Sequence, residues 1–275
     1  MRPSLLNLLL FLLTIFSTLL IGGLTYAISI ICILFAHEMG HYLASRRYRV
    51  PSSLPYFIPF PLPPFGTLGA IIKTKGIIPN RKALFDIGAG GPLFGLSLAV
   101  PAVIVGLLLS DVIDVAELPA DSITLGNSPL FSLLQWLALG TLPPNSDVVL
   151  HPIAYAGWVG LFITSLNLLP AGQLDGGHII YSLFGTHSKI IFRLTLLGIT
   201  LICLIYNLGW LLLVILLLFI GFRHPPPLDD HTPVDLRRKI TGAFTFLILF
   251  TTFTPIPFPS LTMGIKELVK NWPNL

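Results

Sequence analysis

The chain has 275 residues, 54% of them hydrophobic and only 10% charged, with 16 Lys and Arg against 12 Asp and Glu. A soluble domain carries roughly a quarter charged residues, so this composition belongs to a polytopic membrane protein. The pI near 9.2 comes without a dense basic run, and nothing favours nucleic-acid binding.

After Met1-Arg2-Pro3 the chain is apolar from Leu5 to about Leu24. That run is longer than a signal-peptide core and has no small-x-small cleavage site, so it reads as a retained first span. At about 20 apolar residues per span, seven candidates follow, at roughly 5–23, 25–44, 84–110, 151–171, 189–206, 208–222 and 240–254. The first two join near Gly22-Gly23 with almost no loop, and the fifth and sixth near Asn207-Leu208-Gly209. The sixth is short and the seventh is rich in Thr and Phe. The expected fold is an all-α polytopic membrane protein of about six to seven transmembrane helices. Residues 1–255 form one transmembrane domain and 256–275 a short tail. Cys32 and Cys203 fall in apolar runs and read as small core residues.

The second span ends in His37-Glu38-Met39-Gly40-His41. Residues four apart share a helix face, so His37 and His41 can grip one metal ion. Glu38 then stands where it can take a proton from an attacking water. Ionisable groups inside a span are costly and usually functional, which points to a hydrolytic metal site held in the bilayer.

Residues 51–64 contain six prolines (Pro51, Pro55, Pro59, Pro61, Pro63 and Pro64) among aromatic residues, which forbids a regular helix. Gly66-Thr67-Leu68-Gly69-Ala70-Ile71-Ile72-Lys73 reads as a short strand. Irregular backbone at a membrane must be buried in protein or line a cavity. The segment is therefore expected to form a re-entrant or interfacial β-hairpin after the motif-bearing helix. The third span opens on Gly88-Ala89-Gly90-Gly91-Pro92, which permits close packing on that helix. Asp86 just before it reads as an interfacial charge or helix cap. Pro129 to Leu139 reads as an amphipathic helix on the outer surface.

Catalytic zinc sites use three protein ligands plus water. The fourth span runs into Asn167-Leu168-Leu169-Pro170-Ala171-Gly172-Gln173-Leu174-Asp175-Gly176-Gly177. Asp175 is an acid bracketed by helix-breaking residues and is the candidate third ligand; spacing alone leaves His178 open. Asn167 can donate to the oxyanion of an attacked peptide carbonyl, or make an interhelical hydrogen bond. His151, His187, His224 and His231 sit at span ends or in loops, where solvated histidine is ordinary.

Charges test the topology. With the N-terminus in the cytoplasm, 14 of the 16 Lys and Arg fall in cytoplasmic segments and only Lys266 and Lys270 outside. Loop 111–150 carries Asp111, Asp114, Glu117, Asp121 and Asp147 and no Lys or Arg. This matches the positive-inside bias and an odd number of spans. It sets His37, His41 and Asp175 at matching depth near the cytoplasmic side.

H-E-M-G-H followed by N-x-x-P-x-x-x-L-D-G-G resembles the paired signature of the site-2 protease family of intramembrane metalloproteases, over about residues 25–185. The glycine-rich start of the third span is similar to a further motif of that family. The resemblance implies Zn2+ on His37, His41 and Asp175, with Glu38 as general base. It also implies a membrane-spanning protein substrate cleaved in the lipid bilayer. It favours Asp175 over His178, as does a helix break at Gly176-Gly177. No PDZ-like insertion is evident, which suits the compact members. The segment Arg223-His224-Pro225-Pro226-Pro227-Leu228-Asp229-Asp230 is similar to one in plastid-type members. The alternative is a membrane metal transporter or metal-binding protein. A transit site calls for polar residues on successive spans and a pseudo-repeat; the sequence shows neither.

Overall fold

The computed structural model describes residues 3–118, 122–220 and 224–261. Arg2, Asp121, Arg223, Lys266 and Lys270, the end of the sixth candidate span and the tail beyond 261 lie outside the described residues.

Helix α1, Pro3–Arg47, is two spans in one element: Gly23, at φ 73 and ψ −175, breaks the helical path. That left-handed φ suits glycine alone. Each half is about 20 residues, enough for a hydrocarbon core of about 30 Å. Strands β1 (Tyr56–Pro59) and β2 (Thr67–Ile71) pair antiparallel, Tyr56 opposite Ile71. Helix α2, Arg81–Leu108, starts where the Asn80 side chain accepts from the Ala83 amide. Next come β3 (Asp111–Asp114), α3 (Pro129–Leu139), β4 (Ser146–Val149) and α4 (Pro152–Asn167). Helices α5 (Asp175–Phe184), α6 (Ser188–Ile205), α7 (Leu211–Ile220) and α8 (Leu236–Thr252) complete the chain.

Among the described residues, three stretches are long and apolar enough to cross a membrane: Leu5–Arg47, Arg81–Leu108 and Asp175–Ile205, which joins α5 to α6. Helix α4 has 16 residues, ten of them buried, and is apolar on all sides because α1, α2 and α8 surround it. The ten residues of α7 reach about 15 Å, half a hydrocarbon core. Glycines let the central helices touch. A Cβ at Gly106 would collide with Ala154, one at Gly157 with Val103 and one at Gly160 with Ile33. Close approach through small residues is how helices associate where lipid removes the hydrophobic drive.

The proline-rich segment forms the expected hairpin, and it re-enters the bundle. Its irregular carbonyls find donors on the helices. Asn7 donates to the Leu54 and Pro55 carbonyls at 3.0 and 2.7 Å, and Ser17 to Gly66 at 2.6 Å. Tyr26 donates to Phe65 at 2.6 Å and Tyr155 to Pro64 at 2.7 Å. Satisfaction by protein side chains is what such backbone needs at membrane depth. The tip sits at Tyr26 and the strand end at Glu38, about 18 Å further along α1. Prolines do not exclude a strand here, since Pro59 closes β1 at an edge with a register shift.

At the far end, β3 and β4 pair antiparallel, a sheet not read from the sequence. Helix α3 is amphipathic as expected, capped by Ser128, with Phe131 and Leu134 buried and Trp136 exposed. At the near end the segment from His224 to Asp235 straps across the bundle. Leu228 and Asp229 donate to the Ile78 and Pro79 carbonyls, both at 2.9 Å. Asp230 accepts from Arg81 at 2.9 Å and from Tyr181 at 3.0 Å. Asp86 is not the helix cap, which is Asn80, but a charge with a partner. It holds Arg238 through both carboxylate oxygens at 2.8 and 2.6 Å and accepts from Tyr48 at 2.5 Å. Burial and that bond push the Tyr48 phenol above its usual range.

Candidate metal centre

The second half of α1 presents His37 and His41 one turn apart, both against α2. A Cβ at Gly91 would overlap the His41 imidazole, and one at Gly95 would lie 3.1 Å from His37. Gly40, between the histidines, faces the Gly90 backbone with no room for a side chain. The glycine-rich start of α2 is thus a seat for the H-E-x-x-H face, as the sequence suggested.

His41 Nδ1 lies 2.7 Å from the Ile87 carbonyl. A carbonyl only accepts, so Nδ1 carries the proton and Nε2 is left as a lone pair. His41 Nε2 and His37 Nε2 are 3.1 Å apart.

Asp175 arrives from another element. Helix α4 stops at Asn167, residues 168–174 turn with Gly172 at φ 51, and Asp175 opens α5. The break is therefore at 168–174 and not at Gly176-Gly177. These two glycines lie in the first turn of α5. A Cβ at Gly176 would meet the Leu168 and Leu169 carbonyls, and one at Gly177 those of Ala171 and Gly172. They let α5 dock onto its own approach loop. Asp175 Oδ2 is 3.2 Å from His37 Nε2 and Oδ1 is 3.3 Å from His41 Nε2.

Two nitrogens and a carboxylate at 3.1 to 3.3 Å from one another match the edges of a tetrahedron whose metal–ligand bonds are about 2.0 Å. Asp175 Oδ2 and Glu38 Oε2 are buried without a hydrogen-bond partner among the described residues. Buried carboxylate oxygens that lack donors are costly, and a cation satisfies that need. The residues fit a divalent metal of the zinc type. His37, Glu38 and His41 also place one ligand atom each within 4.8 Å of one another. Glu38, however, already accepts from the Ile72 amide at the end of β2.

These groups line a cavity of about 140 Å3 with Ser45, Ala70, Ile71, Ile72, Asn167, Gln173 and His178 among its walls. All five expected site residues meet there. Asn167 Nδ2 lies 3.4 Å from His37 Nε2, at the outer limit of a hydrogen bond. The hairpin expected beside the site supplies Ala70 to Ile72. Ser45 was not read from the sequence. Its Oγ is buried without a partner among the described residues, and its place one turn beyond His41 on the same face was the available signal. The sequence favours Asp175 over His178 as a ligand and makes His224 an ordinary loop histidine. The structure joins them, His178 Nδ1 to His224 Nε2 at 2.5 Å.

The chain is 35% identical over 243 residues to the probable zinc metalloprotease EGY1 of Arabidopsis thaliana chloroplasts, covering 86% of this chain and 43% of that protein. It is 35% identical over 246 residues to the chloroplastic EGY1 of rice, covering 86% and 41%. It is 31% identical over 250 residues to the chloroplastic EGY2 of Arabidopsis thaliana, covering 87% and 43%. The chain spans less than half the length of these curated relatives. No solved structure matches it. The profile of Peptidase family M50 matches residues 25–206, which contain every residue that converges on the cavity. A match over most of the chain, with the paired motifs at its centre, makes this chain a member of peptidase family M50, the site-2 proteases.

Proposed function

We propose that the protein is an intramembrane zinc endopeptidase that hydrolyses peptide bonds in or near membrane-spanning segments of other proteins. The observation that carries this reading is the convergence of His37, His41 and Asp175 at 3.1 to 3.3 Å inside an apolar bundle, beside the unpartnered Glu38 oxygen. The zinc metalloprotease names of the relatives support it. His37, His41 and Asp175 hold the metal, and Ile87 fixes the His41 tautomer. Zinc in such a site polarises a carbonyl and acidifies water. Glu38 is the general base, its second oxygen held in place by the Ile72 amide. Asn167 faces the same cavity and supplies a donor for the developing oxyanion. A transporter has no use for a base beside its ligands.

The substrate helix must unwind, because a helical carbonyl is already hydrogen-bonded. Lys73 exchanges backbone and side-chain bonds with Ser53, whereas the Ile72 amide turns away to Glu38. By strand alternation Ala70 also turns away from β1, leaving an edge for an unwound substrate to pair with. Gly69 lies at φ 98 and donates to Thr67 Oγ1, so it shapes the strand and is no substrate donor. Disulfide trapping from Ile71→Cys to successive cysteines along a substrate should peak at every second position; a flat profile removes strand pairing.

The deciding experiment is cleavage of a single-span substrate by purified protein, with Glu38→Gln as control. Glu38→Gln should keep zinc and lose turnover; near-normal turnover sinks the reading. The positive-inside bias puts the metal end on the cytoplasmic side, or its equivalent in an organelle. Cysteine labelling should therefore reach loops 45–83 and 111–150 from opposite sides, and labelling of both from one side breaks that placement.

A further inference from the structure

The segment from His224 onward has no role in the chemistry above, yet it reaches the wall of the metal cavity. His224 stacks on Tyr181 with ring centroids 4.6 Å apart. Its Nδ1 lies 2.7 Å from the Pro225 carbonyl, so that nitrogen donates. Burial pushes the His224 imidazole down from its ordinary value, which favours the neutral ring. Neutral His224 then offers Nε2 as an acceptor only. The 2.5 Å contact is thus a donation from His178 Nδ1–H to His224 Nε2. His178 is left with a bare Nε2, for which no partner exists among the described residues, in a side chain that lines the cavity of His37, Glu38 and Asp175. Gly88 of α2 packs closely on the base of this side chain: a Cβ there would sit 2.7 Å from His178 Cβ. The strap is anchored independently by the Asp230 bonds to Arg81 and Tyr181.

We propose that His178 contacts substrate, its Nε2 accepting a hydrogen bond from a backbone N–H of the unwound segment, and that His224 on the strap is the positioning residue that fixes it. This rests on the protease reading. An unwound strand brings unpaired amides into an enclosed cavity, where each needs an acceptor. The cavity's carboxylates are committed to the metal and to proton transfer, so a neutral imidazole acceptor suits that task. The segment H-P-P-P-L-D-D is then part of the active site, although it lies about 50 residues beyond Asp175.

The test has two parts. Imidazole 15N spectra of the zinc-loaded protein should show His178 protonated at Nδ1 with Nε2 free; the opposite tautomer overturns the proposal whatever the substrate. The second part measures binding in the inactive Glu38→Gln background. The probe is a fluorescent single-span peptide of about 25 residues with a central Asn-Pro break. His178→Ala and His224→Leu should each weaken binding about 3- to 10-fold, the range of one hydrogen bond. His224→Gln, whose carbonyl replaces the Nε2 acceptor, should stay within about twofold of the parent. Zinc content should not change in any of them and all should remain folded, with His178→Ala and His224→Leu melting somewhat lower for the lost hydrogen bond. Unchanged binding, loss of zinc in parallel, or failure of Gln to restore binding each overturns the proposal. The protease reading fails separately, by turnover in Glu38→Gln.

Discussion

At the metal end, α1, α2, α5 and α8 are tied by charged and hydrogen-bonding side chains. Arg238 holds Asp86 and Asp235, Tyr48 joins Asp86, and Arg81 and Tyr181 share Asp230. At the opposite end the packing is aromatic. Trp158 stacks between Tyr155 and Phe162 at 6.4 and 5.6 Å, and Trp210 stacks on Phe253 at 5.5 Å. The acids Asp111, Asp114 and Asp147 there form no ion pair among the described residues, and a cavity of about 740 Å3 opens beside the hairpin tip. Aromatic stacking contributes mainly through the large apolar area it buries. Charge-assisted bonds fix distance and direction, which a constellation tolerant to about 0.5 Å requires. The difference shows which end must hold its geometry.

The largest effect should come from the ligand set itself. Asp175→Ala should lower zinc affinity by more than about 100-fold, since even outer-shell partners are worth 10–100-fold. His178→Ala should leave it unchanged. Metal analysis of the two variants checks this; equal loss in His178→Ala with retention in Asp175→Ala would replace the third ligand.

A pair of glycines sharpens the contrast. Gly91→Ala pushes a methyl into the His41 imidazole, and Gly106→Ala pushes one into Ala154 at the far end. Both overpack, at a cost of about 1–3 kcal/mol. Only Gly91→Ala moves a proposed ligand, His41, so it alone should reduce zinc occupancy, by about tenfold. Thermal melts and metal content separate the two quantities. If both variants keep their zinc, the seat under His41 is looser than the packing implies.

Much of the metal end was legible because its signals are local. H-E-x-x-H works through a four-residue spacing, Gly22-Gly23 marks the kink in α1, and prolines followed by Gly66 to Lys73 mark the hairpin. Residues 88–91 are small because a helix lies against them. What escaped depends on pairs far apart in sequence. Asp86 meets Arg238 across 152 positions and His178 meets His224 across 46, with no periodicity to announce either. The helix break ahead of Asp175 is legible in Pro170 and Gly172, but a further break does not follow it. Glycine was read as a breaker at Gly176-Gly177, whereas there it permits close packing inside a first turn. Sheet β3–β4 escapes because its strands have only four residues, flank a helix and show no clean alternation, Val112 and Val149 being exposed alongside the acids. The shared depth of His37 and Asp175 followed from counting spans, although α4 proved to be a short buried helix.

The smallest expected effect comes from deleting one hydroxyl at each end. Tyr48 donates to the Asp86 carboxylate at 2.5 Å and Tyr155 to the Pro64 carbonyl at 2.7 Å. Bonds to charged groups are worth about 1.5–3 kcal/mol and neutral ones about 0.5–1.5. Tyr48 is only partly buried, so screening brings its figure down to about 1–2 kcal/mol. Tyr48→Phe should therefore lower the melting temperature somewhat more than Tyr155→Phe, with zinc content unchanged in both. Salt discriminates better than magnitude. Raising ionic strength from about 0.01 to 1 M shortens the Debye length from about 30 to 3 Å. That should shrink the Tyr48→Phe penalty, because the Asp86–Arg238 pair it supports is weakened in the parent as well. The Tyr155→Phe penalty joins two neutral groups beside the hairpin tip and should stay constant. Melting curves of both variants and the parent at the two salt levels settle the point. If the two penalties respond alike, the near end is not held by charge in the way its hydrogen bonds suggest, and the contrast between the ends reduces to shape.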